Sequence, residues 1–205
     1  MFKQGACWQA LLLCLAFQGV AYSALAAESR YLKATGVVSH FQSVLLSVMK
    51  DADQLRFKGR VERLEPAVKR SHHLPRIARL ITGRYWKSFS PQQQRRFVDT
   101  FTRLVIVTYA HQFHAYHGES FHIRSTQALK RGRVLVRTEL VKSSGKRVHL
   151  DYVLQHRQGH WRIINIIANG VSDLALKRAD YSSLLNRQGF QTLIDMLEQK
   201  IRRYH

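Results

Sequence analysis

Residues 161–167 read Trp161-Arg162-Ile163-Ile164-Asn165-Ile166-Ile167, and they run into Gly170-Val171-Ser172 and then into Lys177-Arg178-Ala179-Asp180-Tyr181. An isoleucine-rich run of this length, bounded by glycine, is typical of a buried strand. The basic and aromatic segment after the glycine predicts a helix. A core strand that turns directly into a helix is therefore the feature from which the fold can be worked out.

Apolar side chains alternate in three strand-length segments, which is the pattern of strands with one buried face. Residues 143–145, Ser-Ser-Gly, join the first two segments as a hairpin, and a short strand near residues 121–125 begins the sheet. In the last segment Ile164 and Ile166 are predicted on the opposite face, so that strand should be buried on both sides. The positions predicted to share a face are Val134, Val136, Thr138 and Leu140, then Val148, Leu150, Tyr152 and Leu154, then Trp161, Ile163, Asn165 and Ile167.

Before and after these strands, apolar residues recur at helical spacing. Pro66 and Pro75 are expected to divide a basic helical region into short pieces, and Ser90-Pro91-Gln92-Gln93 predicts the N-cap and first turn of the next helix. Two helices should close the chain, the second after Gly189. The helical stripes are Val37, Phe41, Val44, Leu45 and Val48, then Phe97, Phe101, Leu104 and Thr108, then Phe190, Leu193, Ile194, Leu197 and Ile201.

Together these elements predict an α+β fold. It has a helical N-terminal half, an antiparallel curved sheet of about four strands and two C-terminal helices. The chain has 205 residues, only three of them proline, and no low-complexity linker divides it. We therefore expect a single domain over residues 27–205, a length that suits one core of roughly 100 to 200 residues.

The first 26 residues have the pattern of a cleaved secretory signal. Lys3 precedes an apolar run at residues 11–17, and Ala24-Leu25-Ala26 supplies the small residues of a cleavage site. The run is shorter than the ~20 apolar residues of a membrane helix, and no later segment reaches that length. Export is therefore expected, with a retained N-terminal anchor as the alternative.

Both cysteines, Cys7 and Cys14, lie inside this predicted signal. An exported chain cut after Ala26 would carry neither a thiol nor a disulfide, so an oxidising compartment would be tolerable. Neither cysteine stands in the sequence context of a lipid attachment site. The stability of the mature domain should therefore depend on its hydrophobic core alone.

The chain is strongly basic, with 33 Lys and Arg against 13 Asp and Glu and a formal net charge of +20. Nucleic acid would be the first partner to consider for such a charge, but the export signal and the scattered positions of the basic residues exclude it. The remaining anionic partners are phospholipid headgroups and anionic membrane surfaces. The alternative is a basic surface that serves general solubility.

Several motifs in consecutive order carry a resemblance to a known family. Residues 74–80 with Gly83 and Trp86 come first, Ser90-Pro91-Gln92-Gln93 with Phe97 and Phe101 follow, and residues 103–110 contain Leu-Val before Thr-Tyr-Ala. The Gly170-Val171-Ser172 corner and the helix that contains Arg178 end the series. In this order the motifs resemble the MlaC family of periplasmic lipid-carrying proteins.

This resemblance implies an apolar cavity, enclosed by the helices and the curved sheet, for the acyl chains of a phospholipid. It implies a periplasmic shuttle between an outer-membrane lipoprotein-porin complex and an inner-membrane ABC transporter with an MCE-type component, which supports outer-membrane lipid asymmetry. No bond is made or broken, so no catalytic residue, metal or cofactor is expected beyond the lipid cargo. A hopanoid-associated branch ends in a similar basic helix, which leaves a polycyclic lipid open.

Candidate lining residues follow from the periodicity within this resemblance, and about half of them are expected to touch lipid while the others pack the core. Arg178 is expected to meet a headgroup or an acidic partner, or else to be an exposed arginine on a solvated helix face. The lining candidates are Phe97, Phe101, Leu104, Val105, Thr108, Tyr109, Val136, Leu150, Tyr152, Ile163 and Val171.

The chain departs from the family pattern where acidic residues are usual. His72-His73 replaces an aromatic-Asp pair, and Asn165 and Asn169 replace acids near the tryptophan strand. If those acids recognise a partner or order a buried network in the family, the partner or network should differ here.

The sequence also raises other hypotheses. His111, His114 and His117 suggest a metal site, but steps of three residues turn by about 300° on a helix and spread the ligands apart; the eleven histidines could instead tighten membrane contact at low pH. Asp151-Tyr152 suggests a small cavity enzyme, although adjacent strand residues point to opposite faces. A basic adaptor without a lipid pocket is a further alternative.

Overall fold

A computed structural model of the protein describes the backbone of residues 8–204 and the side chains of residues 29–204. The helical half consists of α1 (Trp8–Lys50), α2 (Ala52–Ser71), α3 (Leu74–Thr82), a 3-10 helix (Gly83–Ser88) and α4 (Pro91–Gln112). The strands and last helix are β1 (Ser120–Leu129), β2 (Arg133–Val141), β3 (Arg147–Arg157), β4 (His160–Ala168), β5 (Val171–Ser172) and α5 (Asp173–Arg202). The predicted α+β fold is confirmed.

The five strands form one antiparallel sheet in the order of the chain, β1-β2-β3-β4-β5. The predicted hairpin joins β2 to β3, where Val141 pairs with Arg147. Its tip contains Gly145 at a φ of 77°, a conformation that glycine adopts without steric cost. At Gly189 the φ is 79° and the ψ is −174°, so α5 is interrupted there and behaves as the two helices that were predicted.

The inner face of the sheet packs against α1 and forms the main core. Val134, Val136 and Leu154 are fully buried, as are Phe41 and Val38 of α1. A polar contact joins the same two layers, since Gln42 Nε2 donates to Thr138 Oγ1 at 2.9 Å. The alternation predicted for β2 and β3 is therefore confirmed.

The faces predicted for β4 are wrong in part because the strand contains a bulge. Ile163 pairs with Leu154, whereas Asn165 pairs with Val153, so Ile164 is an extra residue in the ladder. A bulge of this kind reverses the alternation of the residues after it. Ile166 therefore lies on the inner face opposite Tyr152, and Ile167 lies on the outer face. The outer apolar cluster consists of Leu135, Val153 and Ile164, with Leu129 and Ile167 beside it.

The prediction that Pro66 divides this helical region is also wrong. Helix α2 runs through Pro66, and its interruption lies at Arg56 instead, where φ is 50°. A proline removes one helical hydrogen bond, and the buried Leu64, Ala67 and Val68 hold the turn around it against the core. Pro75, by contrast, stands in the first turn of α3 as predicted.

The predicted signal segment falls only partly within the described chain. Lys3 and Cys7 lie outside the described residues, and the backbone of residues 8–26 forms the first part of α1. Within residues 8–204, no helix is both long and apolar enough to cross a membrane. The cleavage after Ala26 and the domain bounds of 27–205 stay predictions.

Candidate functional site

A cavity of about 470 Å³ opens between the inner face of the sheet and the helices α3, α4 and α5. This volume falls within the roughly 300 to 1,000 Å³ of small-molecule sites. The two halves of the chain meet here, because α4 supplies one wall while β3 and β4 supply another. Its apolar wall residues include Leu74, Ile77, Phe101, Leu104, Ile163 and Ile166.

Most of the predicted lining residues lie along this cavity, although binding itself stays a prediction. The stripe on α4 follows helical spacing, and the helix is set by a capping box in which Ser90 Oγ accepts from Gln93 N at 3.2 Å and Gln93 Oε1 accepts from Ser90 N at 2.9 Å. The predicted residues found on the cavity wall are Phe101, Leu104, Val105, Thr108, Tyr109, Leu150, Tyr152 and Ile163.

Three predicted residues are not on the wall, each for a different reason. Phe97 is fully buried in an aromatic cluster, with its ring 6.1 Å from that of Phe101 and stacked on it. Val136 is fully buried in the main core, on the inner face of β2. Val171 is 52% exposed because β5 is a two-residue strand at the edge of the sheet.

Arg178 does not line the cavity either. Its side chain is exposed, and its guanidinium group lies over Gly83 at the end of α3. A Cβ atom on Gly83 would come within 3.4 Å of Arg178 Nε. The contact of Arg178 with a headgroup or a partner stays a prediction.

Sequence reasoning missed the buried His72 on the cavity wall, which it treated only as a departure from the family. Its Nδ1 lies 2.9 Å from Ser71 Oγ, and its Nε2 lies 3.2 Å from Tyr109 OH. The ring of Phe41 meets it edge to face, with 4.9 Å between centroids. Burial lowers the pKa of His72 to about 4, so this side chain is neutral at pH 7.

Two of the tyrosines that line the cavity, Tyr109 and Tyr152, are also neutral. Burial, followed by the nearby Tyr152 and Asp173, raises the pKa of Tyr109 well above its usual value. Burial raises the pKa of Tyr152 to about 12, against the opposing effect of a hydrogen bond from Gln42. We call the wall formed by the buried His72, Leu104, Tyr152 and Ile163 and the half-buried Tyr109 the cavity interior; it carries no charge at pH 7.

Charged side chains of the lining lie instead where the cavity opens to solvent. Lys177 forms an ion pair with Asp173 one turn away on α5. Leu176, on the same helix, is 55% exposed although it lines the cavity. We call this rim the cavity mouth, and it consists of Asp173, Leu176, Lys177, Asp180 and Lys200.

The two asparagines that replace family acids both hold local structure. Asn165 Oδ1 accepts from Ser172 Oγ and from the backbone N of Leu174, each at 3.2 Å. Asn169 Oδ1 accepts from the backbone N of His149 at 3.0 Å. Asn165 thus ties the bulged strand β4 to the first turn of α5, which carries the mouth.

Within the described residues, neither the histidines nor the Asp151-Tyr152 pair has the arrangement that a metal site or this enzyme site would require. Among the described residues, no group of three or more His, Cys, Asp or Glu side chains is placed to hold a metal ion. Asp151 lies on the outer face of β3, with its Oδ2 4.0 Å from Arg137 Nε, whereas Tyr152 faces the cavity. A carboxylate and a phenol from this pair therefore cannot act on one substrate.

Comparison with known proteins finds similar curated proteins, among them one from Haemophilus influenzae and one from Pseudomonas putida. Over 123 residues the chain is 28% identical to the intermembrane phospholipid transport system binding protein MlaC of Haemophilus influenzae, which covers 58% of each protein. Over 110 residues it is 24% identical to the toluene tolerance protein ttg2D of Pseudomonas putida, which covers 54% of this chain and 51% of the relative. The chain thus spans little more than half the length of the curated relatives it matches.

A solved structure and a family model extend the match. The phospholipid-binding protein from Ralstonia solanacearum, solved in complex with a phospholipid, superimposes with a TM-score of 0.75 at 20% identity, over 84% of this chain and 98% of that one. This likeness establishes the fold. The model of the family described as MlaC protein matches residues 40–199, which includes α4, the whole sheet and most of α5. The chain therefore belongs to the MlaC family.

Proposed function

We propose that this protein is a periplasmic carrier that holds a phospholipid with its acyl chains in the cavity interior. The observation that carries the proposal is the cavity itself, in which an uncharged interior leads to a charged mouth. Membership of the MlaC family and the phospholipid bound to the Ralstonia solanacearum protein of the same fold support it.

The energetics of lipid in water explain why such a carrier needs a dry interior. Transfer of one CH₂ group from an apolar phase to water costs about 0.8 kcal/mol, so about 30 methylenes in two acyl chains cost on the order of 25 kcal/mol. A buried charge beside those chains would carry a desolvation penalty. The neutral states of His72, Tyr109 and Tyr152 avoid it while keeping their polar atoms hydrogen-bonded.

The headgroup is proposed to stay at the mouth, in contact with water. Lys200 and Lys177 supply positive charge there for a phosphate, and Asp173 and Asp180 supply acceptors for a hydroxyl or amine of the headgroup. Arg178, close by on the same helix but outside the wall, is proposed to contact either the headgroup or an acidic partner.

The proposed route runs between an outer-membrane lipoprotein-porin complex and an inner-membrane ABC transporter with an MCE-type component. The name of the Haemophilus influenzae relative, a binding protein of an intermembrane phospholipid transport system, supports this assignment. Export through a signal at residues 1–26 would bring the chain to the periplasm, where its net charge of +20 favours anionic membrane surfaces over nucleic acid. We propose neither catalysis nor a cofactor.

The test is the lipid that leaves with the protein. The full-length chain is expressed with its own signal in a Gram-negative host, purified without detergent from the periplasm and extracted for mass spectrometry. We expect about one phospholipid per chain. A polycyclic lipid instead would identify the hopanoid alternative, and a lipid-free protein that takes up nothing from vesicles would refute carriage and leave the enzyme and adaptor hypotheses.

A further inference from the structure

Buried polar atoms without a hydrogen-bond partner gather at one corner of the molecule. Among the side chains of residues 29–204 they are His73 Nδ1, Arg76 Nε and Gln155 Oε1. The three residues are neighbours: His73 N donates to the carbonyl of Ile163 at 2.9 Å, Gln155 pairs with Arg162 across β3 and β4, and Arg76 lies one turn along α3. Since native proteins pair nearly all buried polar groups, these three atoms are available to bond a ligand.

The same corner is strongly positive. Burial, and then the charges of Arg162, Arg157 and Arg76, lower the pKa of His73, so all three guanidinium groups lie near this ring. Within the described residues, none of these arginines forms an ion pair. The first turn of α3 adds its backbone dipole. An anion is therefore the ligand that the corner favours.

The surroundings define the site further. Arg162 also lines a neighbouring groove of about 340 Å³ between α2, α3 and α4. That groove contains two carboxylates, Glu65, which is paired with Lys69, and Asp99. Within the described residues, neither carboxylate forms an ion pair with Arg76, Arg157 or Arg162, so the corner keeps its positive charge.

We propose that this corner, formed by His73, Arg76, Gln155, Arg157 and Arg162, is a binding site for a phosphate group that carries a hydroxyl. Arg76 Nε and the guanidinium groups of Arg157 and Arg162 donate to the phosphate oxygens, which is the bonding that arginine favours. Gln155 Oε1 accepts from the hydroxyl, and His73 Nδ1 completes the set in either tautomer.

This site is separate from the lipid cavity, because none of its five residues lines that cavity. The inference therefore does not rest on the proposed carrier function and would survive its failure. The phosphate group could belong to free hydrogen phosphate or to a glycerophospholipid headgroup, such as that of phosphatidylglycerol, whose glycerol supplies the hydroxyl.

The test follows the Nε–H signal of Arg76 by nuclear magnetic resonance in the full protein. One arm titrates inorganic phosphate and the other dihexanoyl phosphatidylglycerol below its micelle concentration, each against sodium chloride at equal ionic strength. We expect a saturable shift with at least one of the two ligands. Arg162→Gln should weaken that binding at least about tenfold, the range of a lost charge-assisted hydrogen bond.

Arg187→Gln is the matched control, since Arg187 is exposed on α5 and lies outside the corner. It removes the same charge and should leave the affinity within about twofold of the parent. Thermal unfolding checks that both variants are folded, and Arg162→Lys should recover only part of the affinity. Saturation by one arm alone identifies the source of the phosphate. A shift that sodium chloride reproduces, or an equal loss in Arg187→Gln, would overturn the proposal.

Discussion

The interior and the mouth of the cavity differ in every property that matters for holding a lipid. The interior is buried and has neutral polar groups that are hydrogen-bonded to each other, as His72 is to Tyr109. The mouth is exposed and carries two acidic and two basic side chains beside the exposed Leu176. The cavity thus has the polarity gradient of half a bilayer, with its apolar end inside the protein.

This comparison teaches that one wall can serve both packing and binding. Leu104 and Ile163 belong to the main core and also line the cavity, so a change in the interior should affect folding and lipid together. Residues of the mouth have few buried contacts, so changes there should affect lipid or membrane contact alone. The predictions below separate these two expectations.

The largest effect is expected from a charge placed in the interior. Leu104→Lys should lower the free energy of unfolding by about 3 to 5 kcal/mol, because the ammonium group would be buried without a partner. The matched change at the mouth is Leu176→Lys, which makes the same substitution at an exposed position that is also on a helix. It should shift stability by no more than about 0.5 kcal/mol. Urea unfolding measures both, and similar losses would remove the distinction between the two regions.

Acid should lower the free energy of unfolding through His72, which lies in the cavity interior. Its pKa is 6.5 in the unfolded chain and about 4 in the folded one, so the unfolded chain takes up a proton in this window and the folded chain does not. The free energy of unfolding is therefore highest above about pH 6.5. It falls by about 3 kcal/mol as the pH is lowered toward 4. Urea unfolding at pH 7.0 and 4.5 should show a smaller loss in His72→Gln than in the parent. Equal pH dependence would mean that His72 is not buried as described.

The mouth depends on strand β4 through Asn165, which holds the first turn of α5. Asn165→Ala removes the acceptor for Ser172 Oγ and Leu174 N and should cost about 1 to 2 kcal/mol. Asn165→Asp keeps an acceptor at the same position and should retain most of the stability. Thermal unfolding compares the stability of the two variants. If Asn165→Ala unfolds at the same temperature as the parent, α5 is held by its packing alone.

The smallest effect is expected from a single charge at the mouth. Lys200→Gln should weaken binding to phosphatidylglycerol vesicles by about 1 kcal/mol at low salt, and it should leave stability unchanged. Lys58→Gln is the matched control, because Lys58 is exposed on α2 and lies outside the mouth. Vesicle sedimentation gives both affinities. Equal weakening would assign the attraction to the overall charge and not to the mouth.

The α4 wall could be predicted from sequence because helical periodicity places Phe101, Leu104, Val105, Thr108 and Tyr109 on one face. The alternation of β2 and β3 was equally readable, although it cannot tell a central residue such as Val136 from one that lines a cavity. The sequence pattern of β4 does not predict its bulge, because each of its four isoleucines is compatible with either face of the sheet. Its register is decided by pairing with β3 and by the bonds from Asn165 to α5.

Other parts of the site are set by tertiary contacts that no local pattern carries. His72 became a wall residue because β4 pairs with the chain between α2 and α3. Lys200 reaches the mouth from the far end of α5 because the helix is interrupted at Gly189. Pro66 misled the prediction of α2 because core packing outweighed the loss of one hydrogen bond. These outcomes depend on long-range packing, which a single sequence does not display.

The orientation of the lipid tests the central claim most directly. The protein is loaded with a phospholipid that carries a nitroxide either at the end of an acyl chain or on its headgroup, and its amide and side-chain signals are recorded. We predict that the chain-end label broadens the signals of Tyr109 and Ile163, and that the headgroup label broadens those of Leu176 and Lys200. The reverse pattern, or broadening that does not saturate at about one lipid per chain, would contradict a carrier with an apolar interior and a polar mouth.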